Sequence, residues 1–208
     1  MRMMRLSLAT AVGILAMSQS GVASAATVNE AYADSWMLDH TAKIASEFRA
    51  KSQQITLTGV EGNDGPSTTI SKVNIDGSFE QFRDGELSLV SDGNRVFELG
   101  SDGKWHRLRT FEVMRGVPSM LTNAIVPSQD SDSAEITYRI KGNSFTATFT
   151  RDGEEITSTA TFARRRFTST SPGRTVDVRP VPPVEVAMPK PRDIGAPKAH
   201  GNAEIIAF

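Results

Sequence analysis

The chain has 208 residues, no cysteine and a formal charge of −1, with 23 basic and 24 acidic side chains. Without cysteine it has neither disulfides nor a lipid-modified cysteine, and its near-neutral balance gives no electrostatic reason to expect nucleic acid as a partner. The length suits one domain with a sizeable core.

Residues 1–25 have the form of an export signal. Arg2 and Arg5 are the basic start, Leu6 to Met17 is a short, mostly apolar run, and Ala23-Ser24-Ala25 is an A-x-A cleavage site. The run is shorter than the about 20 residues that a membrane span needs. Cleavage after Ala25 removes two arginines and no acid, moves the formal charge from −1 to −3, and leaves no integral membrane segment. An uncleaved anchor is the rival reading. The expected mature protein starts at Ala26 and is soluble, either secreted or periplasmic.

From Ala31 to Lys51 the pattern is helical. Met37, Thr41, Ile44 and Phe48 recur at three- and four-residue steps, with Trp36 and Ala45 beside them. Asp34 or Ser35 is the candidate cap, and Arg49 and Lys51 suit the helix end electrostatically. His40 lies on or near the apolar stripe with no partner at a catalytic spacing, and reads as a packed histidine.

Strands follow. Ile55 to Val60 alternates, Gly62 to Pro66 turns, and Thr68 to Ile75 returns with β-branched residues. Between Val73 and Arg109, Asp-Gly recurs at 76–77, 84–85, 92–93 and 102–103. Asp-Gly suits tight hairpin turns, and the segments between are too short for stable helices. Phe79, Phe82, Leu87, Leu89, Val96, Phe97 and Trp105 supply strand-forming bulk, so this stretch reads as an antiparallel meander.

After Arg109 the chain becomes apolar and rich in Met and Leu. Pro118 opens a short helix over Ser119 to Ile125 and Pro127 ends it. That segment is either a plug for the core or a lid. The Asp-x-Asp in 128–133 lacks the ligands and glycine of a calcium loop and reads as solvated. Strands resume at Ile136–Ile140, Ser144–Arg151 and Glu155–Phe162, the second alternating cleanly through Phe145, Ala147 and Phe149. Arg164-Arg165-Arg166 reads as a solvated edge that discourages strand pairing. Seven of the ten prolines lie between 172 and 197, so this part is expected to be extended and no central strand, with Val176–Val178 a last edge strand and 184–208 a flexible tail.

Chemistry-bearing motifs are absent. His40, His106 and His200 are scattered, with no metal-ligand spacing and no H-E-x-x-H. Neither a G-x-S-x-G turn nor a phosphate-binding glycine loop occurs, and the Asp-Gly pairs lack the calcium-repeat pattern. No catalytic residue, metal or cofactor is expected. A hydrolase whose carboxylates assemble from distant strands stays open.

The order of helix, long meander, inserted apolar helix, further strands and Pro-rich end resembles the bacterial lipoprotein and lipid carriers of the LolA and LppX/LprG type. The matching residues are Met37-Leu38 through Phe48 with the Ile55–Val60 strand, Asp92-Gly93 with Gly103-Lys104-Trp105, Pro118–Ile125, and Gly173 to Val178 with the prolines after them. The likeness spans about residues 35 to 183. It implies an α+β fold in which a curved antiparallel sheet, an incomplete barrel, wraps over the N-terminal helix and the short inserted helix. Residues 26–183 would then form one carrier-like domain.

It also implies an apolar cavity that holds lipid or an acylated ligand, in a carrier or sensor of the cell envelope. The expected lining is Phe82, Leu87, Leu89, Phe97, Leu99, Phe145 and Phe149 on strands, with Met114, Met120, Leu121 and Ile125 above them. The expected partners are a lipid or acyl chain and an envelope protein. Unlike the lipid-anchored relatives, this chain has no cysteine at the processing site. A non-transporting interaction or regulatory module on the same scaffold is the alternative.

Overall fold

The structure is a computed structural model that describes residues 24–60, 66–110, 113–115, 136–151, 153–200 and 205–207. The expected leader (except its last two residues), the turn at 62–65, the helix at 119–125 and the loop at 128–133 lie outside the described residues. In chain order the elements begin with β1 (Ala26–Val28), α1 (Glu30–Phe48), β2 (Gln53–Val60) and β3 (Pro66–Val73). The meander supplies β4 (Ser78–Arg83), β5 (Glu86–Asp92), β6 (Val96–Leu99) and β7 (Trp105–Thr110), followed by β8 (Val113–Arg115). Then come β9 (Thr137–Lys141), β10 (Ser144–Arg151), β11 (Glu154–Ala163), β12 (Arg166–Ser171), β13 (Arg174–Pro180), β14 (Lys198–His200) and β15 (Ile205–Ala207).

The hairpin turns fall where Asp-Gly predicts them. At the β4–β5 turn Asp84 and Gly85 both take positive φ, 51° and 88°, a two-residue geometry whose twist matches the flanking strands. The helix starts earlier than expected. Its cap is Asn29, whose Oδ1 accepts the Tyr32 N–H at 2.9 Å, rather than Asp34 or Ser35, which lie within the helix. Ala33, Met37, Thr41, Ile44 and Phe48 are its buried stripe.

Among the described residues thirteen strands form one open sheet in the order β1-β9-β10-β11-β12-β13-β2-β3-β4-β5-β6-β7-β14. Every pairing is antiparallel except β7 with β14. A separate pair, β8 with β15, is parallel. Among the described residues no helix is long and apolar enough to cross a membrane.

Two expectations about the C-terminal third are corrected. Arg166 opens β12 instead of guarding an edge, and β13 is interior, hydrogen-bonded to β12 on one side and β2 on the other. Pro180 is tolerated because it is the last residue of β13, where a missing N–H costs least. This β13–β2 pairing joins the two halves of the chain.

Where a flexible end was expected from residue 184, residues 184–200 follow a defined course. Asn74 Oδ1 accepts the Val184 N–H at 2.9 Å and its Nδ2 donates to the Val184 carbonyl at 2.7 Å. Farther on, the Gly195 N–H donates to the Trp105 carbonyl at 2.8 Å. Val184, Val186 and Met188 are half-buried while Glu185 and Ala187 are exposed, the alternation of an extended strap lying on a surface. Its anchors sit at the foot of β3 and the head of β7, which flank β4 to β6 in the strand order.

Candidate functional site

One apolar cluster runs under α1. Every one of the eleven neighbouring strands from β9 round to β7 contributes to it, among them Tyr138, Phe145, Phe162, Phe167, Val178, Ile55, Val73, Phe79, Leu89, Val96 and Leu108. Cross-strand register lines up Phe162, Phe167, Val178, Ile55, Ser71, Gln81, Leu89, Glu98 and His106 in a single row on that face. The row passes from apolar to polar. Ser71 Oγ donates to Gln81 Oε1 at 3.0 Å, which satisfies two buried side chains that sequence periodicity did not flag as inward.

The expected lining residues divide between the two faces. Leu89 and Phe145, 0 % and 1 % exposed, lie in the cluster under α1. Phe149 alternates onto the face of Phe145 and is buried. Phe82 pairs with Ile70, one step from the inward Ser71–Gln81 pair, and so lies on the opposite face, with Lys72 Nζ 4.9 Å above its ring. Phe97 pairs with Val90, next to inward Leu89, and is likewise on the far face, where it is buried. Leu99 shares that face and is exposed. The register shift between Gln81 and Phe82 leaves Ser88 without a partner, and Leu87 sits beside this bulge, half-buried and opposite Phe82. A bulge breaks the period-two bookkeeping on which an inward list depends. Met114 lies on β8 with its side chain outside the description, as are Met120, Leu121 and Ile125 altogether.

Among the described residues, clefts open beside α1. One, of about 260 Å³, is lined by the core residues Ile44 and Phe162 and ringed by Lys43, Glu47, Asn143 and Arg164. Another, of about 380 Å³, lies at the start of the helix among Val28, Asn29, Tyr32 and Ile140. His40 borders the first and is packed, as its position predicts. Its ring stacks on Trp36 with centroids 3.6 Å apart, and Nδ1–H donates to the Trp36 carbonyl at 2.8 Å.

His106 fastens the far end of the strap. Nδ1–H donates to the Ala196 carbonyl at 2.7 Å and Nε2–H to the Asp102 carboxylate at 3.0 Å. Both partners are acceptors, so the arrangement favours the imidazolium. These bonds, the carbonyl first, hold the His106 pKa above its ordinary value, and the bond from His106 holds Asp102 below the usual carboxylate range. Gly195 is needed here, since a Cβ would lie 2.7 Å from the ring. Lys198 Nζ adds a 2.9 Å ion pair to Glu98. With both ring nitrogens donating, His106 has no lone pair left for general-base work in this arrangement. Among the described residues no three His, Asp or Glu side chains come together as metal ligands. No family model matches the chain, and no curated protein matches it.

Proposed function

We propose that this chain is an extracytoplasmic binding protein that holds a lipid or acylated ligand between α1 and the sheet, as a carrier or sensor in the cell envelope. The observation that carries this reading is a mismatch of areas. Eleven strands at about 4.8 Å spacing are about 48 Å across, while α1, with its 19 residues, is about 28 Å long and about 10 Å wide. One helix cannot cover the apolar face of such a sheet laid flat. A sheet curved as an incomplete barrel would bring that face round the helix, and acyl chains suit an apolar space between them. The cleft with Ile44 and Phe162 at its wall and charged residues at its rim fits entry of an amphiphile. Each buried methylene contributes about 0.8 kcal/mol, so one long chain contributes on the order of 10 kcal/mol before ordering costs.

The likeness to lipoprotein and lipid carriers of the LolA and LppX/LprG type supports the same reading, as does the form of residues 1–25, which we take as a leader cleaved after Ala25. Native mass spectrometry of gently purified mature protein tests it: copurified lipid, displaced by a fluorescent fatty acid, is the expected result. Protein that carries no lipid and binds no such probe overturns it.

A second reading, an envelope interaction module without cargo, is favoured by one observation. Leu89 and Phe145 are already fully enclosed, as in an interior that needs no ligand. Lipid-free protein that captures an envelope protein partner would select it.

A further inference from the structure

We propose that the concavity at the foot of β12 and β13 is a site for a phosphate-type anion, held by Lys51, Arg165, Arg166 and Arg179. It has a volume of about 440 Å³ and is lined by these four cations and Pro180. The residues come from three separate stretches of a chain whose net formal charge is only −1. The register that pairs Phe167 with Val178 sets Arg166 alongside Arg179, two like charges on adjacent strands, a placement that favours an anion near them. The nearby carboxylate, Asp177, is committed to Arg166 at 2.9 and 3.2 Å. Glu47 accepts the backbone N–H of Arg165 at 3.3 Å, not its guanidinium. Among the described residues the side chains of Lys51, Arg165 and Arg179 have no carboxylate partner.

A second observation concerns the backbone of Arg165. It takes φ 60°, and every other positive-φ position among the described residues is glycine or aspartate. An arginine kept in the left-handed region forgoes the residue that fits best there, which is understandable if its side chain is used. Capping the helix does not explain the cluster. The Phe48 carbonyl already accepts the Lys51 N–H at 2.9 Å and Gln53 Nε2 at 3.0 Å. Guanidinium forks match phosphate oxygens in pairs and lysine adds a point charge, so the chemistry fits a phosphate group, either free or on a phospholipid.

The full mature chain is titrated with inorganic phosphate by calorimetry. In parallel it is floated with vesicles of phosphatidylglycerol in phosphatidylcholine and with phosphatidylcholine alone. Phosphate binding indicates a free-anion site; binding to phosphatidylglycerol vesicles without phosphate binding indicates a headgroup. Arg165→Gly removes a cation and places glycine at a φ it favours, and Arg179→Gln removes another. Together they should weaken binding roughly thirtyfold, at about fivefold per charge near an anionic surface. Circular dichroism confirms that the variants fold, and Lys51→Gln replaces either one that does not. Absence of binding to both probes, or variants that bind like wild type, overturns the proposal. The site does not require an acyl ligand, because fatty-acid binding reports on the other reading alone and should be unchanged in Arg165→Gly.

Discussion

The side-chain amide of Asn74 makes two hydrogen bonds to the backbone of Val184, 110 residues away in sequence. It bonds the start of the strap to the foot of β3 and also donates to Ser78 Oγ at 2.9 Å. Asn74→Ala should therefore cost about 1–3 kcal/mol and free the strap's first residues. Limited proteolysis is the direct check, with faster cleavage after Glu185 or Arg192 expected. Unchanged cleavage would mean that the strap is held elsewhere.

The far anchor is sensitive to pH. His106 has its pKa raised on folding, so its contribution is complete below its ordinary value of about 6.5 and is lost as pH rises through the higher folded value. Asp102 is shifted down, so its contribution is present above about pH 3.9 and is lost as pH falls through the lower folded value. The latch is firmest in the mildly acidic window between them. The Tm difference between wild type and His106→Gln should be largest there and shrink toward alkaline pH. A difference that does not vary with pH would remove the ion pair from the account.

The two faces of β5 separate packing from binding. Leu89 lies under α1 and Val90 on the opposite face, and both are buried. In a filled core Leu89→Ala costs about 2–5 kcal/mol. If the interior holds a ligand, Leu89→Arg keeps the apo fold, because its head reaches cavity water, but loses a fluorescent fatty acid. Val90→Ala should cost about 1–3 kcal/mol and leave probe binding intact. Loss of binding in Val90→Ala with the fold retained would contradict the assignment of faces.

Ser52 joins α1 to β2, and its Oγ is buried with no hydrogen-bond partner among the described residues. An unmade buried bond is a cost in the native state, so Ser52→Ala should be neutral or stabilising by about 1 kcal/mol. Chemical denaturation measures this directly, and a clear loss of stability would point to a bound water at that hydroxyl.

What the sequence determined by itself was local. Asp84-Gly85 can hardly be anything but a hairpin turn, the three- and four-residue steps from Met37 to Phe48 make a helix stripe, and Phe145, Ala147 and Phe149 alternate because a strand has period two. Each of these follows from the chemistry of a few neighbouring residues. Tertiary structure decided what depends on distant partners. Val176–Val178 reads as an edge until β2, more than a hundred residues earlier, pairs with it. Phe82 and Phe97 look as inward as Leu89 until register and the Ser88 bulge assign the faces. Arg164–Arg166 was legible as basic, but Arg179 joins it only through the β12–β13 pairing and Lys51 only through the β13–β2 pairing. The prolines after 180 predict extended chain, and Asn74 and His106 turn that chain into a strap. Hydrogen-bond registry between remote segments leaves no local pattern, so only the folded molecule reveals it.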